Sequence, residues 1–269
     1  MAKKVLFINQ EIAPYVPETT MAALGRDLPS IIQEGGFEIR TFMPKWGNIN
    51  ERRGQLHEVI RLSGMNIIID DQDHQLLIKV ASIPSTHVQV YFIDNDDYFM
   101  KREMLIDPEG KPYADNGERA LFYSRGVIET VKKLRWAPDV IHCQGWMSSM
   151  APLYIRKVYE KEPVFANTKI VTSLFGEGLE GALEDKFKKN MELKGVKAKT
   201  LQPYAKTFDL VELGKLAIDY SDAVVAADDT VSSQLIDYAK AKGVPFLPYP
   251  GKDAKEAYRQ FYTQCFEQG

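Results

Sequence analysis

Positive charge is not in excess in this chain: 34 Lys and Arg stand against 37 Asp and Glu, for a formal net charge of −3. A broad basic field is therefore missing, and with it the electrostatic footprint of a nucleic-acid binder. Cysteine is scarce. Cys143 and Cys265 alone do not make a disulfide scaffold, so a reducing, cytoplasmic setting is expected. Four scattered histidines (His57, His74, His87, His142) and the lack of paired Cys spacing argue against zinc, and no metal or cofactor is expected. Long apolar runs are missing too, since none reaches the roughly 18–20 residues of a membrane helix. The opening MAKKVLFINQEIAP is basic and then apolar, but its apolar run of about six residues falls short of a signal h-region. It reads as a buried strand, and no membrane partner is expected.

Glycine is missing where a nucleotide-binding α/β protein would need it. After the first strand, 3-KKVLFINQ-10, the turn holds Pro17, Glu18, Thr19 and Thr20. A proline lacks an N–H, a glutamate repels anions, and β-branched threonines resist the positive φ that glycine adopts freely. The chain has no Walker loop, and no Gly-x-Gly-x-x-Gly follows the first strand. Ser173 near Gly176 does not make the Gly-x-Ser-x-Gly elbow of the hydrolases.

What is present is βα patterning. The spacing predicts a helix over 19–34 ended by Gly35-Gly36, a strand 37-FEIRTFMP-44, and a long helix over 116–135. Next come a strand 138-PDVIHCQ-144, a helix from 146, a strand 168-TKIVTSL-174, and helix–strand–helix over 208–243. A short amphipathic helix over 253–268 closes the pattern. Between 57 and 93 the period changes to two, in 65-MNIIID-70, 76-LLIKVAS-82 and 87-HVQVYFID-94, which predicts an inserted antiparallel β segment. The expected fold is one α/β domain over 1–269, Rossmann-like and doubly wound, with a mainly parallel sheet and helices on both faces.

Ligands of such folds bind beyond the carboxyl ends of the strands, so 10–20, 94–116, 142–147 and 174–181 are the loops to weigh. Glu11 either accepts hydrogen bonds from sugar hydroxyls or caps the next helix, with Thr19 or Thr20 as alternative N-caps. Asp115-Asn116 reads as a helix cap, while Tyr113 is either a surface tyrosine or a stacking platform, with the Asn116 amide reading hydroxyls. His142 is expected as a satisfied core histidine. Trp146, just past a strand end, either packs on a helix or binds carbohydrate. The run 176-GEGLEG-181 reads as a mobile loop.

Four ordered motifs then resemble those of the bacterial glycogen synthases and plant starch synthases: 4-KVLFINQEIAP-14, 111-KPYADNGERALFYSRGVIE-129, 138-PDVIHCQGWMSSMAPLYIR-156 and 211-VELGKLAIDYSDAVVAAD-228. The resemblance covers roughly residues 3–230. It implies glucosyl transfer from ADP-glucose to an α-1,4-glucan with retention, on an acceptor-side domain in which Glu11, Tyr113, Asn116 and Trp146 are glucan-facing or loop-setting. It also marks departures. The family's Lys-x-Gly-Gly-Leu corresponds to Pro17-Glu18-Thr19-Thr20-Met21, a following acidic residue to Ala23, and His-Asp-Trp to Gln144-Gly145-Trp146. The family's Thr-Val-His-Asn is Thr172-Ser173-Leu174-Phe175 here. The resemblance thus implies a degenerate donor side at Pro17, Glu18, Thr19, Thr20, Ala23, Gln144, Gly145 and Leu174. It gives no counterpart to the family's second Rossmann domain, and 253–268 resembles the helix that crosses back onto the first. The expectation is a glucan or maltooligosaccharide binder that is weak or inactive as a transferase alone. Completion by a homo-oligomer or a separate donor-domain chain is one form of it, and a non-catalytic binding, regulatory or protein-interaction module is the alternative.

Overall fold

The computed structural model describes residues 2–84, 86–251 and 254–267. Its strands are β1 (Lys4–Asn9), β2 (Glu38–Pro44), β3 (His57–Glu58), β4 (Met65–Ile69), β5 (Gln72–Ser82), β6 (Gln89–Asp94), β7 (Val140–Gln144), β8 (Lys169–Leu174), β9 (Ala223–Ala226) and β10 (Phe246–Leu247). The sheet runs β10-β9-β8-β7-β1-β2-β6-β5-β3, with β4 paired to β5. From β10 through β6 every pairing is parallel, whereas β5 is antiparallel to β6, β4 and β3. From β1 the chain first moves outward to β2 and β6, then returns to β7 on the other side and moves on to β8, β9 and β10. The order reverses between β1 and β7, which is the point where doubly wound sheets open a crevice for ligand.

The expected antiparallel insertion is present, with β4 antiparallel to β5 and β5 antiparallel to β6. The 87–94 stretch becomes β6, which runs parallel to β2 in the register Thr41↔Val90 to Pro44↔Ile93. Alternation of period two places a strand but does not encode its direction.

Helices α1 (Thr20–Glu34), α2 (Glu51–Gly54), α3 (Asn116–Leu134), α4 (Met150–Lys157), α5 (Phe187–Asn190), α6 (Ala198–Leu201), α7 (Leu210–Asp219), α8 (Ser233–Lys242) and α9 (Lys255–Tyr262) flank the sheet. Helix α1 begins where Thr19 caps it, its hydroxyl accepting from Ala22 N–H at 2.9 Å. Its interior Pro29 has no N–H for the Gly25 carbonyl, and the buried Asn9 amide at the end of β1 reaches that oxygen at 3.5 Å. Gly25 is pressed onto β1's exit: a Cβ there would lie 2.2 Å from the Glu11 carbonyl oxygen. A small residue and a helix proline together set α1 close over the sheet end.

The predicted C-terminal helix forms as α9, continued by a π turn over Thr263–Glu267, while residues 253 and 268 of that stretch lie outside the described residues. It packs back onto α1 and the sheet. Lys255 and Arg259 pair with Glu34 at 2.5 and 3.0 Å, and the Tyr262 hydroxyl meets His142 Nδ1 at 2.6 Å. His142 is fully buried and its Nε2 meets Ser173 Oγ at 2.7 Å, so it is a satisfied core histidine. Burial alone pushes its pKa down to about 3. Cys143 and Cys265 are free thiols.

Candidate active-site cleft

The end of β1 is held from several directions. Asn9 carbonyl accepts from the Tyr123 hydroxyl at 2.7 Å and Gln10 carbonyl from Trp46 Nε1 at 2.9 Å, while Gln10 N–H donates to the Gln144 carbonyl at 3.0 Å. Gln10 Oε1 in turn accepts from Met147 N–H across the crevice at 3.2 Å. These aromatic anchors lie far away in sequence, which is why Trp46 and Tyr123 carry no local signal.

Beside this fixed edge lies a cleft of about 180 Å³ lined by Glu11, Thr19, Thr20, Met21, Phe175, Glu177, Gly178, Asp228, Asp229 and Thr230. Four carboxylates face it, and among the described residues no lysine, arginine or histidine lines it. Glu11 is buried. Its Oε2 accepts from the Thr19 hydroxyl at 2.7 Å and its Oε1 from Gln10 Nε2 at 3.3 Å. The N-terminus of α1, which carries the positive end of the helix dipole, is therefore already served by the protein's own anion through Thr19. Asp228 accepts from Gly176 N–H, Thr230 N–H and the Thr230 hydroxyl, all within 3.2 Å. The pattern Asp228-Asp229-Thr230 after a strand is the sequence signal for that turn.

Thr19 has an extended backbone, φ −130° and ψ 169°, so this turn needs no glycine. Pro17 and Glu18 are exposed, and Glu18 turns to pair with Arg26 at 3.1 Å. Met21, Phe175 and Ala227 form a small buried apolar cluster that joins the first turn of α1 to the ends of β8 and β9. Leu174 goes instead into the core with Ile218, Val224 and Leu235, and Met147 into the main core. Ala23 and Thr20 line a second cavity, of about 390 Å³, against Tyr249 and Tyr258.

At the β7 end, Gly145 has φ +85°, and a Cβ there would lie 2.7 Å from Gln10 Cβ and 2.8 Å from the Met21 sulfur. No side chain fits. Gln144 is fully buried with neither amide atom hydrogen-bonded. Trp146 is also buried, and its Nε1 donates to the Gly178 carbonyl at 2.6 Å. The Gly-rich 176–181 run is thereby tethered at Gly176 by Asp228 and at Gly178 by Trp146.

Tyr113 and Asn116 lie together on the loop before α3. The Arg102 guanidinium lies 4.2 Å from the Tyr113 ring centre, and the Tyr113 hydroxyl accepts from Glu103 N–H at 3.1 Å. Asn116 is buried, donating to the Leu105 carbonyl at 2.8 Å and accepting from Arg119 at 2.8 Å. Arg119 itself is fully buried among Trp46, Phe99 and Tyr113, which, with Arg102 near, lowers its pKa to about 9. All these contacts set the 103–116 loop. The cap of α3 differs from the expected one. Asp115 is taken by Arg102 at 2.6 Å, and the Glu184 carboxylate, from a distant loop, accepts from Gly117 and Glu118 N–H at 3.0 and 2.9 Å. Burial raises the Glu184 pKa. Among the described residues no group of three or more metal-ligating side chains converges.

Curated relatives include the glycogen synthase of Chlorobaculum parvum, 32% identical over 234 residues that are 86% of this chain and 47% of the relative. That of Chlorobaculum tepidum is 33% identical over 236 residues, 87% of this chain and 47% of its own. The chain thus spans about half the length of these relatives. Among solved structures, the catalytic domain of starch synthase IV from Arabidopsis thaliana, bound to ADP and acarbose, superposes with a TM-score of 0.72. It covers 93% of this chain and 51% of the plant chain at 15% identity, a likeness of fold. The model of the starch synthase catalytic domain family matches residues 4–244, and the chain belongs to that family.

Proposed function

We propose that this chain acts in α-1,4-glucan metabolism as an acceptor-side, cytoplasmic glucan-binding domain with weak or no glucosyl transfer of its own. The supporting observation is the cleft beyond β1, β8 and β9, ringed by Glu11, Glu177, Asp228 and Asp229 with no cationic side chain in its lining among the described residues. A diphosphate there meets four like charges and no cationic side chain among the described residues. Stabilising the departing phosphate is usually the largest catalytic term, and a single lost donor lowers rate by roughly 10²–10³. A neutral, hydroxyl-rich ring has no such conflict, because carboxylates and amides accept and donate to hydroxyls. In this reading Glu11 and Trp146 face the sugar, whereas Tyr113 and Asn116 hold the loop beside it. A separate donor-domain chain or a second copy is a candidate partner in this reading. The Met21–Phe175–Ala227 cluster favours a second reading, a protein-interaction module with a filled cleft.

Incorporation of labelled glucose from ADP-glucose into glycogen tests the transferase part. The chain alone is expected to give no turnover above background while binding maltohexaose. Steady incorporation by the purified chain would contradict it, and absence of any maltooligosaccharide binding would favour the filled-cleft module.

A further inference from the structure

The switch point between β1 and β7, where a doubly wound sheet receives its ligand, is covered by the chain's own backbone. Gly178 lies directly on it. A Cβ at this residue would sit 3.6 Å from Gln10 Nε2, 3.6 Å from Trp146 Cδ1 and 3.7 Å from Met21 Cε. The segment that carries it is lightly fastened. Glu177, Gly178, Glu180 and Gly181 are exposed, and Gly178 and Gly181 have φ of +106° and +70°. Hydrogen-bonded anchors lie at its ends, where Gly176 N–H meets Asp228 and Leu183 N–H donates to the Phe208 carbonyl at 2.8 Å. Between them the fastening is the Trp146 Nε1 bond to Gly178 O and the half-buried Leu179 side chain against the main core. Few buried contacts and exposed backbone are the marks of a segment that opens locally.

We propose that residues 176–183 are a strap over the switch point, latched by the Trp146 indole N–H, and that its opening uncovers Gln10, Glu11 and Trp146 for a hydroxyl-rich ring. The uncovered groups are an amide, a carboxylate and an aromatic face, the combination that reads a saccharide by hydrogen bonds and stacking. Trp146 is then a positioning residue in the closed form and a contact only in the open one. The ligand class rests on the glucan-binding reading, whereas the strap itself does not.

The experiment is amide hydrogen exchange over 176–183 in the parent, Trp146→Phe and Gly178→Ala, followed by maltohexaose titration of each. Phenylalanine keeps the ring and removes the N–H. Alanine at Gly178 strains an exposed position at φ +106°, its Cβ at ordinary contact distance from Trp146 and Met21. Loss of one hydrogen bond should speed exchange of the strap amides about three- to tenfold, with protection of β1 and β7 unchanged. Maltohexaose should bind Trp146→Phe tighter by a like factor, since opening is then less unfavourable. Strap exchange equal to the parent in a folded Trp146→Phe overturns the latch. Should that variant not fold, unchanged exchange in Gly178→Ala overturns it. Faster exchange with no sugar bound by any of the three proteins leaves the strap standing and removes the glucan reading.

Discussion

Gly145 shows how one residue records the state of the whole crevice. The related triplet has an aspartate at this position, yet here Met21 sulfur and Gln10 Cβ occupy the space that any Cβ would need, on a backbone at φ +85°. Restoring the acid should therefore not restore a site. Gly145→Asp is expected to destabilise the fold by about 3 kcal/mol or more, from overpacking and a strained φ together. Adding Met21→Ala should recover part of that loss, and urea unfolding of the single and double variants measures it. Much at this scale was readable beforehand. An N-cap at Thr19 or Thr20, of which the structure uses Thr19, and His142 as a core residue followed from their neighbours in sequence. The burial of Trp146 did not, because nothing local indicates that Gly178, far along the chain, folds back to meet its indole.

Among elements, local rules worked wherever the partner was local. Period placed α1, α3 and the strands β1, β2, β7 and β8 within a few residues, but did not place β10. These rules failed where the partner was remote: α3 takes its cap from Glu184, far along the chain. Helix α9 is the strongest example, since its seat depends on a buried chain of Tyr262, His142 and Ser173 joining it to β7 and β8. That chain has a consequence for pH. His142 stays neutral in the fold, with its pKa lowered by burial from 6.5 to about 3. The unfolded chain takes up a proton below its ordinary value. The stability contributed by the neutral imidazole is thus complete above about pH 6.5 and is lost as pH falls toward 3. At pH 5 the loss should be about 2 kcal/mol relative to pH 7.5. Denaturant midpoints at the two pH values check this, and His142→Gln should flatten the difference.

For the molecule as a whole, composition and pattern were enough for the fold class, because a 3-2-1-4-5-6 order of parallel strands follows from repeated βα units with few alternatives. The acidic character of the cleft was only half readable. Glu11 and the non-glycine turn stood out in sequence, but Glu177, Asp228 and Asp229 converge on them only through the crossing of β8 and β9 past β7. That convergence is the centre of the account: the chain has the family's fold, and we propose that its acidic cleft disfavours a diphosphate. Calorimetric titration of the purified chain with ADP tests this most directly. The account predicts no saturable heat at millimolar ADP, at low or physiological salt. Stoichiometric binding that Glu11→Gln or Asp228→Asn weakens would contradict it.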